Sequence, residues 1–579
     1  MNAPSHFDFR NVNALWCSVL VETLVRTGVR HAVISPGSRS TPLTMALARH
    51  PLVKATPVLD ERSAAFFALG MAKRTGAPAV LVCTSGTAGA NYFPAVIEAQ
   101  EGGVPLIVIT ADRPPEMRAC ASGQTIDQQK LFGDHVAFFH EFAVPVASES
   151  MLRYLRQTVA HAVERSRESA GPVHLNAPFR DPLPPVVQGD LASEFAGCDW
   201  SRFFSHLGPN VMAVTTAPLP RFLPDVHGVI VAGPAQPADP ARYAAAVGEV
   251  ARKLGWPVVA DALSPLRQHA DVVPHLVTSY DVILRNPSVA ERLQPESILC
   301  VGNWPTSKVL RAWLEASSAT TWLATERLDN RDALHGRART LPLSLVALAA
   351  QLPTFAAPNG YERMWAMYEQ KARSEIDGRL EAESGLFEGK AAWLLARHLP
   401  VETSLVVANS MPIRDAEYFF PASDRRLRLL CNRGANGIDG TLSTALGVAH
   451  DAGRPAVLLV GDLALLHDTN GFLLRSKFRG SLTIVLINNN GGGIFGHLPV
   501  AQFDPPFEEF FATPQDMDFA KLAAAYGVEH VLVRDWTHFT ELVSVLPAGG
   551  LRVIEVRTDR KSDASKRKTW FADAAAKLG

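Results

Sequence analysis

The feature that most constrains the fold is a rhythm that recurs in three parts of the chain: a short apolar and β-branched run, a turn, and then a helical pattern. This rhythm is typical of parallel sheets covered by helices on both faces. In the first part, residues 63–73 place apolar side chains at helical spacing, and Gly76 and Pro78 end that pattern. The apolar runs predict strands at residues 31–35, 56–59, 79–83, 106–110, 173–176, 229–232, 257–260, 298–301, 320–324, 405–408, 456–460, 482–488 and 552–556.

Proline-rich stretches separate the three parts. Residues 182–226 and 353–359 lack periodic pattern and are interpreted as connections, and a charged helical region follows at 362–379. A chain of 579 residues is also too long for one core. We therefore predict an α/β fold class with three domains, each a mainly parallel sheet flanked by helices, the first and third alike. The predicted domains span residues 1–185, 200–355 and 385–579.

Composition excludes several classes of partner. The 56 Lys and Arg residues against 57 Asp and Glu leave a net charge of −1, which indicates neither a nucleic acid nor an acidic membrane surface as partner. The basic run at 560–568, which contains Arg567, is interpreted as a solvated surface because two aspartates interrupt it.

Cysteine spacing and the first residues bear on the compartment. The six cysteines are far apart and form no CxxC pair, which argues against disulfides and zinc and favours a reducing compartment. No signal peptide is expected, and no apolar run approaches the ~20 residues that span a bilayer. We expect a soluble, cytoplasmic protein without membrane insertion.

Two strand ends in the third part predict a metal site. Asp462 and Asn489 are 27 positions apart, and each lies just past the end of a predicted strand. If these strands are neighbours, a carboxylate, an amide oxygen and a backbone carbonyl converge, and Mg²⁺ prefers oxygen ligands of this kind. Either piece alone is better explained by a helix cap or a tight turn. Their pairing favours the metal.

The glycines of the same region match a dinucleotide fingerprint only nominally. Gly491, Gly493 and Gly496 satisfy G-x-G-x-x-G after a strand, but a true fingerprint opens a helix toward the pyrophosphate. The prolines that follow, from Pro499 onward, prevent a long helix. We therefore reject a nicotinamide-dinucleotide site.

Other polar groups have weaker signals of their own. Glu61 follows a strand, where an acidic residue simply favours a helix N-terminus. The loop at 35–42 contains Arg39 and suits an anionic ligand, although a plain turn explains it equally. Arginine forks match carboxylates, so converging basic and amide groups would indicate a polyanionic substrate. Periodicity does not show that they converge. These groups are Arg113, Gln124, Lys308, Arg414 and Arg433.

Taken together, the motifs resemble those of one enzyme family over nearly the whole chain and in matching order. They are SPGSRSTPL (35–43), DER (60–62), TSGTAGAN (84–91), TADRPPE (110–116), NRGANGIDG (432–440), VGDLALLHD (460–468) and INNNGGGIF (487–495). The sequence is similar to the 2-succinyl-5-enolpyruvyl-6-hydroxy-3-cyclohexene-1-carboxylate synthase family of menaquinone biosynthesis, within the thiamine-diphosphate enzymes.

The resemblance implies a transferase with thiamine diphosphate and Mg²⁺ or Mn²⁺ as cofactors. Its first domain would bind the pyrimidine and its third the diphosphate. The implied reaction decarboxylates 2-oxoglutarate and adds the succinic-semialdehyde carbanion equivalent to isochorismate, releasing CO₂. The superfamily places its cofactor between two subunits, which implies at least a homodimer and is compatible with a homotetramer.

The resemblance also implies roles for individual residues. Glu61 would be the catalytic acid at the aminopyrimidine ring, and Ile438 would bend the cofactor. The metal ligands would be Asp462, Asn489 and the Gly491 carbonyl. Further cofactor contacts would come from Ser35, Pro36, Gly37, Gly461, Ile494 and Phe495, the last two also walling the isochorismate pocket. The 2-oxoglutarate carboxylate would meet Ser410, Arg414 and Arg433, and isochorismate would meet Ser38, Arg39, Arg113, Gln124 and Lys308.

Two positions depart from the family pattern. Leu463 stands where many relatives have glycine, and Gly123 precedes Gln124 where the family has an amide side chain. Two other functions stay open at this point. One is a different thiamine-diphosphate 2-oxo-acid decarboxylase or carboligase of the acetohydroxyacid synthase type, which has no use for Arg414 and Arg433. The other is a non-catalytic α/β binding protein, which has no use for Glu61.

Overall fold

The computed structural model describes residues 4–208, 219, 226–327, 330–336, 338–354 and 360–579. It divides into two compact units, one of residues 1–212, 432–451 and 467–479, the other of residues 213–431, 452–466 and 480–579. The predicted domain boundaries stay predictions. Of the two predicted connections, residues 209–218, 220–225 and 355–359 lie outside the described residues.

The described residues form three six-stranded sheets in which every strand pair is parallel. The strands are β1 His31–Ile34, β2 Lys54–Pro57, β3 Ala79–Cys83, β4 Leu106–Asp112, β5 Phe138–Glu141, β6 Pro172–Pro178, β7 Gly228–Ala232, β8 Val258–Ala260, β9 Leu276–Val277, β10 Ser297–Val301, β11 Thr320–Ala324, β12 Arg339–Leu341, β13 Ser404–Val407, β14 Arg428–Leu430, β15 Ala456–Gly461, β16 Ser481–Asn488, β17 Glu529–Leu532 and β18 Gly550–Arg557.

Helices connect the strands and cover the sheets. They are α1 Val12–Arg26, α2 Thr41–Arg49, α3 Glu61–Thr75, α4 Thr87–Asn91, α5 Phe93–Gly102, α6 Glu149–Glu168, α7 Leu191–Glu194, α8 Trp200–Phe203, α9 Pro240–Leu254, α10 Tyr280–Ile283, α11 Pro287–Arg292, α12 Lys308–Glu315, α13 Leu345–Gln351, α14 Tyr361–Ala382, α15 Glu388–His398, α16 Met411–Phe419, α17 Thr441–Ala449, α18 Asp462–His467, α19 Phe519–Ala525, α20 Trp536–Ser544 and α21 Arg560–Ala576. Within the described residues, none of them combines the length and the hydropathy needed to cross a bilayer.

Strand order confirms that the first and third sheets are alike. The first sheet has the order β2-β1-β3-β4-β6-β5 and the third has β14-β13-β15-β16-β18-β17, which is the same arrangement counted from its own first strand. The middle sheet has the order β12-β11-β10-β7-β8-β9 and is wound differently. The predicted α/β class with a mainly parallel sheet in each third of the chain is therefore confirmed.

The predictions match the structure for the strands inside the sheets, but not for the strands at the sheet edges. All twelve interior strands were predicted, with ends that differ by at most two residues. The edge strand predicted at 56–59 instead spans Lys54–Pro57, and the predicted connection at 182–226 contains two short helices, α7 and α8. The sequence analysis missed five strands, and all five lie at sheet edges: β5, β9, β12, β14 and β17.

The cysteines agree with the expectation of reduced thiols. All six are free, and Cys83 and Cys300 are buried. Burial raises the pKa of the Cys83 thiol, which keeps it protonated and unreactive near neutral pH.

One further cluster has the residue types of a metal site, but its hydrogen bonds assign it another role. His6 Nε2 and His50 Nε2 both lie about 3 Å from Glu22 Oε2, at 2.9 and 3.0 Å. The Leu52 backbone N–H donates to His50 Nδ1, so His50 Nε2 carries the proton and donates to Glu22. A protonated nitrogen does not bind a metal. The cluster ties the first residues to α1.

Helix α3 shows how local sequence sets up the first unit. The Asp60 side chain accepts from the Ser63 N–H at its start, and Gly76 ends it with φ +67°. Its glycine and a glycine of α17 let the two backbones touch, since a Cβ on Gly70 would lie 2.0 Å from the Thr444 carbonyl oxygen, and one on Gly447 would lie 2.0 Å from the Phe67 carbonyl oxygen. No side chain larger than hydrogen fits at either position.

We predict that Gly70→Ala destabilises the protein by about 1–3 kcal/mol, because the added methyl group forces α3 and α17 apart. Gly378→Ala, at an exposed position of α14, is the matched control. A Cβ there meets nothing within 4 Å, so this change should stabilise by about 0.5–1 kcal/mol. Thermal unfolding of both variants checks the pair. Equal unfolding temperatures would show that the two helices do not pack this closely.

Candidate active site

Three neighbouring strands of the third sheet end in polar residues. Strand β15 pairs with β13 on one side and β16 on the other, so their carboxyl ends share one edge of the sheet. Asp462 directly follows β15, Asn489 follows β16, and Ser410 lies three residues past β13. The strand order reverses between β13 and β15, and ligands of open α/β sheets bind at such a reversal.

Asp462 is held by backbone donors on both of its oxygens. Its Oδ2 accepts from the Gly491 N–H at 2.7 Å, and its Oδ1 accepts from the Leu463 N–H at 2.7 Å. Burial raises the pKa of Asp462 to about 6, although these two hydrogen bonds act in the opposite direction. The loop requires a glycine, because Gly491 has φ +134° and a Cβ there would lie 2.4 Å from the Ala512 carbonyl oxygen.

The side-chain oxygen of Asn489 accepts no hydrogen bond from the described residues. Its Nδ2 donates to Glu388 Oε2 at 2.9 Å, which fixes the amide so that Oδ1 points the other way. Oδ1 is buried, and no group among the described residues hydrogen-bonds it. A buried oxygen of this kind is costly unless a ligand satisfies it. Together with the Asp462 carboxylate, it fits the donor set of a hard divalent cation.

The segment that follows is short and irregular. Residues Gly493–His497 and Pro499–Gln502 form single turns of 3₁₀ helix, so the G-x-G-x-x-G run opens no long helix and the rejected dinucleotide site stays rejected. The first turn holds Ile494 and Phe495, both half-buried, and the Phe495 ring lies 5.8 Å from the Phe511 ring. Gly461 is the last residue of β15.

Two of the predicted substrate residues lie at the start of helix α16. Ser410, just before it, has φ +72°, a conformation that is strained for a residue other than glycine. Arg414 Nη1 donates to the Ser410 carbonyl oxygen at 2.6 Å, which couples the two. Strain of this kind is typical of positions that serve a ligand.

The first sheet has a polar edge of its own. Strands β2, β1, β3 and β4 are adjacent and parallel, and Glu61, the loop at 35–39, Ser85 and Arg113 follow them in that order across the sheet. Glu61 is half-buried at the start of α3. Burial raises the pKa of the Cys83 thiol at the end of β3, and the negative charge of Glu61 raises it further. The Glu61 carboxylate therefore lies near the end of β3. Nothing in the described part of the chain hydrogen-bonds this carboxylate.

Two predicted substrate arginines meet at this edge. Arg39 Nη1 donates to the Phe179 carbonyl oxygen at 3.0 Å, and Arg113 Nη1 donates to the Gln124 carbonyl oxygen at 2.7 Å. The pKa of Arg39 is lowered first by burial and next by Arg113, so the two guanidinium groups are close. Both Nε atoms are buried without a hydrogen-bond partner in the described residues. This pair of cations fits an anionic ligand.

The remaining predicted residues of this loop differ in exposure. Ser35 is fully buried, and its Oγ lies 3.2 Å from the Tyr92 hydroxyl. Pro36, Gly37 and Ser38 are exposed. Gly37 lies against Thr84, where a Cβ would approach to 2.2 Å.

The loop at 432–440, which contains Arg433 and Ile438, belongs to the same unit as the first sheet. The buried Glu98 of α5 anchors it, accepting from the Gly434 N–H at 3.0 Å and the Ala435 N–H at 2.7 Å. Glu98 also pairs with the buried Lys73 of α3 at 3.3 Å. Ile438 is half-buried in this loop.

The structure thus groups most predicted residues within each unit. In the first unit it brings together Ser35, Ser38, Arg39, Glu61, Arg113 and Gln124 at one sheet edge. In the second it does so for Ser410, Arg414, Asp462, Asn489, Gly491, Ile494 and Phe495. Lys308 is exposed at the start of α12, in the unit that holds the second and third sheets. No hydrogen bond or ion pair among the described residues joins it to the group in its own unit.

The buried residue Glu388 was not predicted from the sequence, and the prediction for Arg567 was wrong. Glu388, which holds Asn489, pairs at 2.7 Å with Arg567, and Arg567 also pairs with Asp415. Arg567 was interpreted as part of a solvated basic run, but only 1% of it is exposed. This interpretation was wrong because the α21 face that contains Arg567 packs inward. No sequence pattern connects the three residues.

Comparison with known proteins agrees with this geometry. Residues 17–135 match the family model "Thiamine pyrophosphate enzyme, N-terminal TPP binding domain", residues 208–407 match "Middle domain of thiamine pyrophosphate", and residues 415–556 match "Thiamine pyrophosphate enzyme, C-terminal TPP binding domain". The repeated fold and the polar strand ends therefore define a thiamine-diphosphate-dependent enzyme.

Full-length relatives narrow the family. A 2-succinyl-5-enolpyruvyl-6-hydroxy-3-cyclohexene-1-carboxylate synthase of Microcystis aeruginosa is 52% identical over 566 residues, 97% of this chain and 99% of that protein. The protein of the same name from Nostoc sp. is 50% identical over 576 residues, 98% of this chain and 99% of that protein. The chain belongs to the 2-succinyl-5-enolpyruvyl-6-hydroxy-3-cyclohexene-1-carboxylate synthase family.

We predict that Glu98→Ala frees the loop at 432–440 and destabilises the first unit by about 3–5 kcal/mol, the usual cost of breaking a buried ion pair. Glu101→Ala, exposed on the same helix, is the control. Hydrogen exchange should accelerate at the Gly434 and Ala435 amides in the first variant only. Unchanged exchange at these two amides would mean that Glu98 does not hold the loop.

Proposed function

We propose that the protein decarboxylates 2-oxoglutarate with thiamine diphosphate and adds the four-carbon fragment to isochorismate, giving 2-succinyl-5-enolpyruvyl-6-hydroxy-3-cyclohexene-1-carboxylate and CO₂. The observation that carries this proposal is the full-length similarity to synthases of that name, together with the polar edges of the first and third sheets.

A divalent cation, Mg²⁺ or Mn²⁺, would be held by the Asp462 carboxylate, Asn489 Oδ1 and the Gly491 carbonyl. The support is the buried Asn489 oxygen that lacks a donor and the backbone N–H groups that aim the Asp462 carboxylate. Such cations usually take one or two carboxylates and complete their shell with phosphate oxygens and water. The residues therefore suit a cation that anchors a diphosphate.

Glu61 is proposed as the catalytic acid. The bound cofactor would supply the electron sink for decarboxylation. A carboxyl group at the start of α3 can donate a proton to a ring nitrogen and take it back, which is the role of a general acid and base. Ile438, Ile494 and Phe495 would contribute apolar surface, and Ser35, Pro36, Gly37 and Gly461 would let backbone approach the cofactor.

The basic residues suit two dicarboxylates. Arg39 and Arg113 lie close together with unpartnered Nε atoms, which favours isochorismate there, beside Ser38 and Gln124. Lys308 is proposed for the same substrate. Ser410 and Arg414, coupled at α16, would hold the distal carboxylate of 2-oxoglutarate together with Arg433.

A homodimer, or a homotetramer built from it, is proposed by analogy with the superfamily. The cytoplasmic location also remains a prediction.

A comparison of donors tests the proposal. With thiamine diphosphate and Mg²⁺, CO₂ release should require 2-oxoglutarate, and mass spectrometry should detect the isochorismate adduct. An acetohydroxyacid synthase-like enzyme would instead prefer pyruvate. That preference would refute the proposed donor.

We predict that Glu61→Gln lowers turnover at least ~100-fold, because the amide cannot exchange a proton with the cofactor ring. Cofactor binding should survive, since the change is isosteric, and titration of bound thiamine diphosphate checks this. Turnover equal to that of the unaltered protein would mean that a different residue is the catalytic acid.

We predict that Gly123→Asn lowers the KM for isochorismate about three- to tenfold, because it restores the amide that the family has before Gln124 and one hydrogen bond contributes about 0.5–1.5 kcal/mol. There is room for it, since a Cβ on Gly123 meets nothing within 4 Å. Gly197→Asn is the control, because Gly197 is exposed and a Cβ there also meets nothing within 4 Å. It should leave this KM unchanged. An unchanged KM in Gly123→Asn would place the substrate elsewhere.

A further inference from the structure

Arg567 lies at the centre of a buried charged network in the second unit. It belongs to α21, which packs against the 3₁₀ turn at Gly493–His497, and it is 1% exposed. Its guanidinium group lies between two carboxylates that come from different helices, Glu388 at the start of α15 and Asp415 within α16. Both carboxylates are buried.

One side of the network leads to the proposed metal ligand. Arg567 Nη1 lies 2.7 Å from Glu388 Oε1, and the other oxygen of Glu388 accepts from Asn489 Nδ2 at 2.9 Å. Because Glu388 accepts from the amide nitrogen, Asn489 has one orientation, with Oδ1 turned away from the carboxylate. Asp563, one turn before Arg567 on α21, accepts from the Glu388 backbone N–H at 3.2 Å. Glu388 is thus fixed at its backbone and its side chain.

The other side leads to the proposed substrate helix. Arg567 Nε donates to Asp415 Oδ1 at 2.9 Å and Nη2 donates to Asp415 Oδ2 at 2.8 Å, a two-pronged contact. Asp415 immediately follows Arg414, which is coupled to Ser410. A fork of this kind fixes the angle of α16 as well as its distance, which a point charge cannot do.

We propose that Arg567 is a positioning residue that orients the proposed metal ligand and the proposed 2-oxoglutarate helix from one guanidinium group. The inference rests on the proposed function, because it takes Asn489 and Arg414 as ligands. Arg567 is not itself among the proposed cofactor or substrate ligands. It acts through Glu388 on the orientation of the Asn489 amide and through Asp415 on the placement of Arg414.

The two sides can be separated by substitution. Glu388→Gln should raise the Mg²⁺ Kd about 10- to 100-fold, the usual effect of losing a group that orients a metal ligand, and leave the KM for 2-oxoglutarate within about twofold at saturating Mg²⁺. Asp415→Asn should raise the KM for 2-oxoglutarate and leave the Mg²⁺ Kd unchanged. Arg567→Lys, which keeps the charge and loses the fork, should impair both.

The readout is a Mg²⁺ titration of thiamine-diphosphate binding, followed by calorimetry, with steady-state KM and kcat measured separately. Arg267→Lys is the matched control. Arg267 is equally buried and also contacts α16, through Glu417, but within the described residues it has no hydrogen bond or ion pair with Glu388 or Asn489. It should lower the unfolding temperature and leave the Mg²⁺ Kd unchanged. If Glu388→Gln does not fold, Glu388→Asp, which keeps the charge and shortens the reach, takes its place.

Two failures are distinguishable. Lowered unfolding temperatures in Glu388→Gln and Arg567→Lys, with the Mg²⁺ Kd and the KM of the unaltered protein, would overturn the positioning role and leave a purely structural one. Absence of Mg²⁺-dependent thiamine-diphosphate binding in the unaltered protein would instead refute the proposed function. An Mg²⁺ effect in Arg267→Lys as large as that in Arg567→Lys would also overturn the inference.

Discussion

The parallel pairing of β15 with β16 is the constraint on which the third sheet's chemistry depends. Gly461 lies opposite Ile487 in this pairing, so the residues that follow the two strands emerge side by side at one edge of the sheet. The Asp462 carboxylate then reaches the Gly491 N–H, and this hydrogen bond shapes the loop that presents Asn489. A shift of one residue in the register would separate these groups and reverse the side of the sheet that each faces.

Buried charge is the second organising feature. Burying a carboxylate costs several kcal/mol unless donors or a cation compensate it. Asp462 is compensated by two backbone N–H groups, Glu98 by two backbone N–H groups and Lys73, and Asp415 by the Arg567 fork. Each compensation fixes a segment that carries a proposed ligand. Asn489 Oδ1 differs because the described residues offer it no donor, and an added cation would complete its environment.

How much of the fold the sequence predicts depends on position in the sheet. Interior strands are covered on both faces, so they are runs of consecutive apolar residues, as in β3 and β16, and are recognisable. Edge strands pair on one side only and can be short or polar, as β17 is with residues Glu529–Leu532. Their formation depends on the neighbouring strand, which the local sequence does not contain.

The candidate site divides in the same way. The positions of Asp462 and Asn489 were predictable because each follows a recognisable apolar strand and the two residues are 27 positions apart. That Arg39 and Arg113 approach each other follows from the order β1-β3-β4, which periodicity does not give. Glu388, Asp415 and Arg567 are separated by up to 179 positions in the sequence and meet only through the packing of α15, α16 and α21. The burial of Arg567 is also not predictable from the basic run that contains it, because charge alone does not indicate which face of a helix is buried.

The proposed chemistry depends on Asp462 and Asn489 holding one divalent cation. The most direct measurement is a crystal structure of the protein with thiamine diphosphate and Mn²⁺, with the ion located by its anomalous scattering. The account predicts a peak about 2.0–2.3 Å from an Asp462 carboxylate oxygen and from Asn489 Oδ1, the range of metal–oxygen bonds for cations of this size. An ion bound elsewhere, with Asn489 Oδ1 still without a partner, would contradict it.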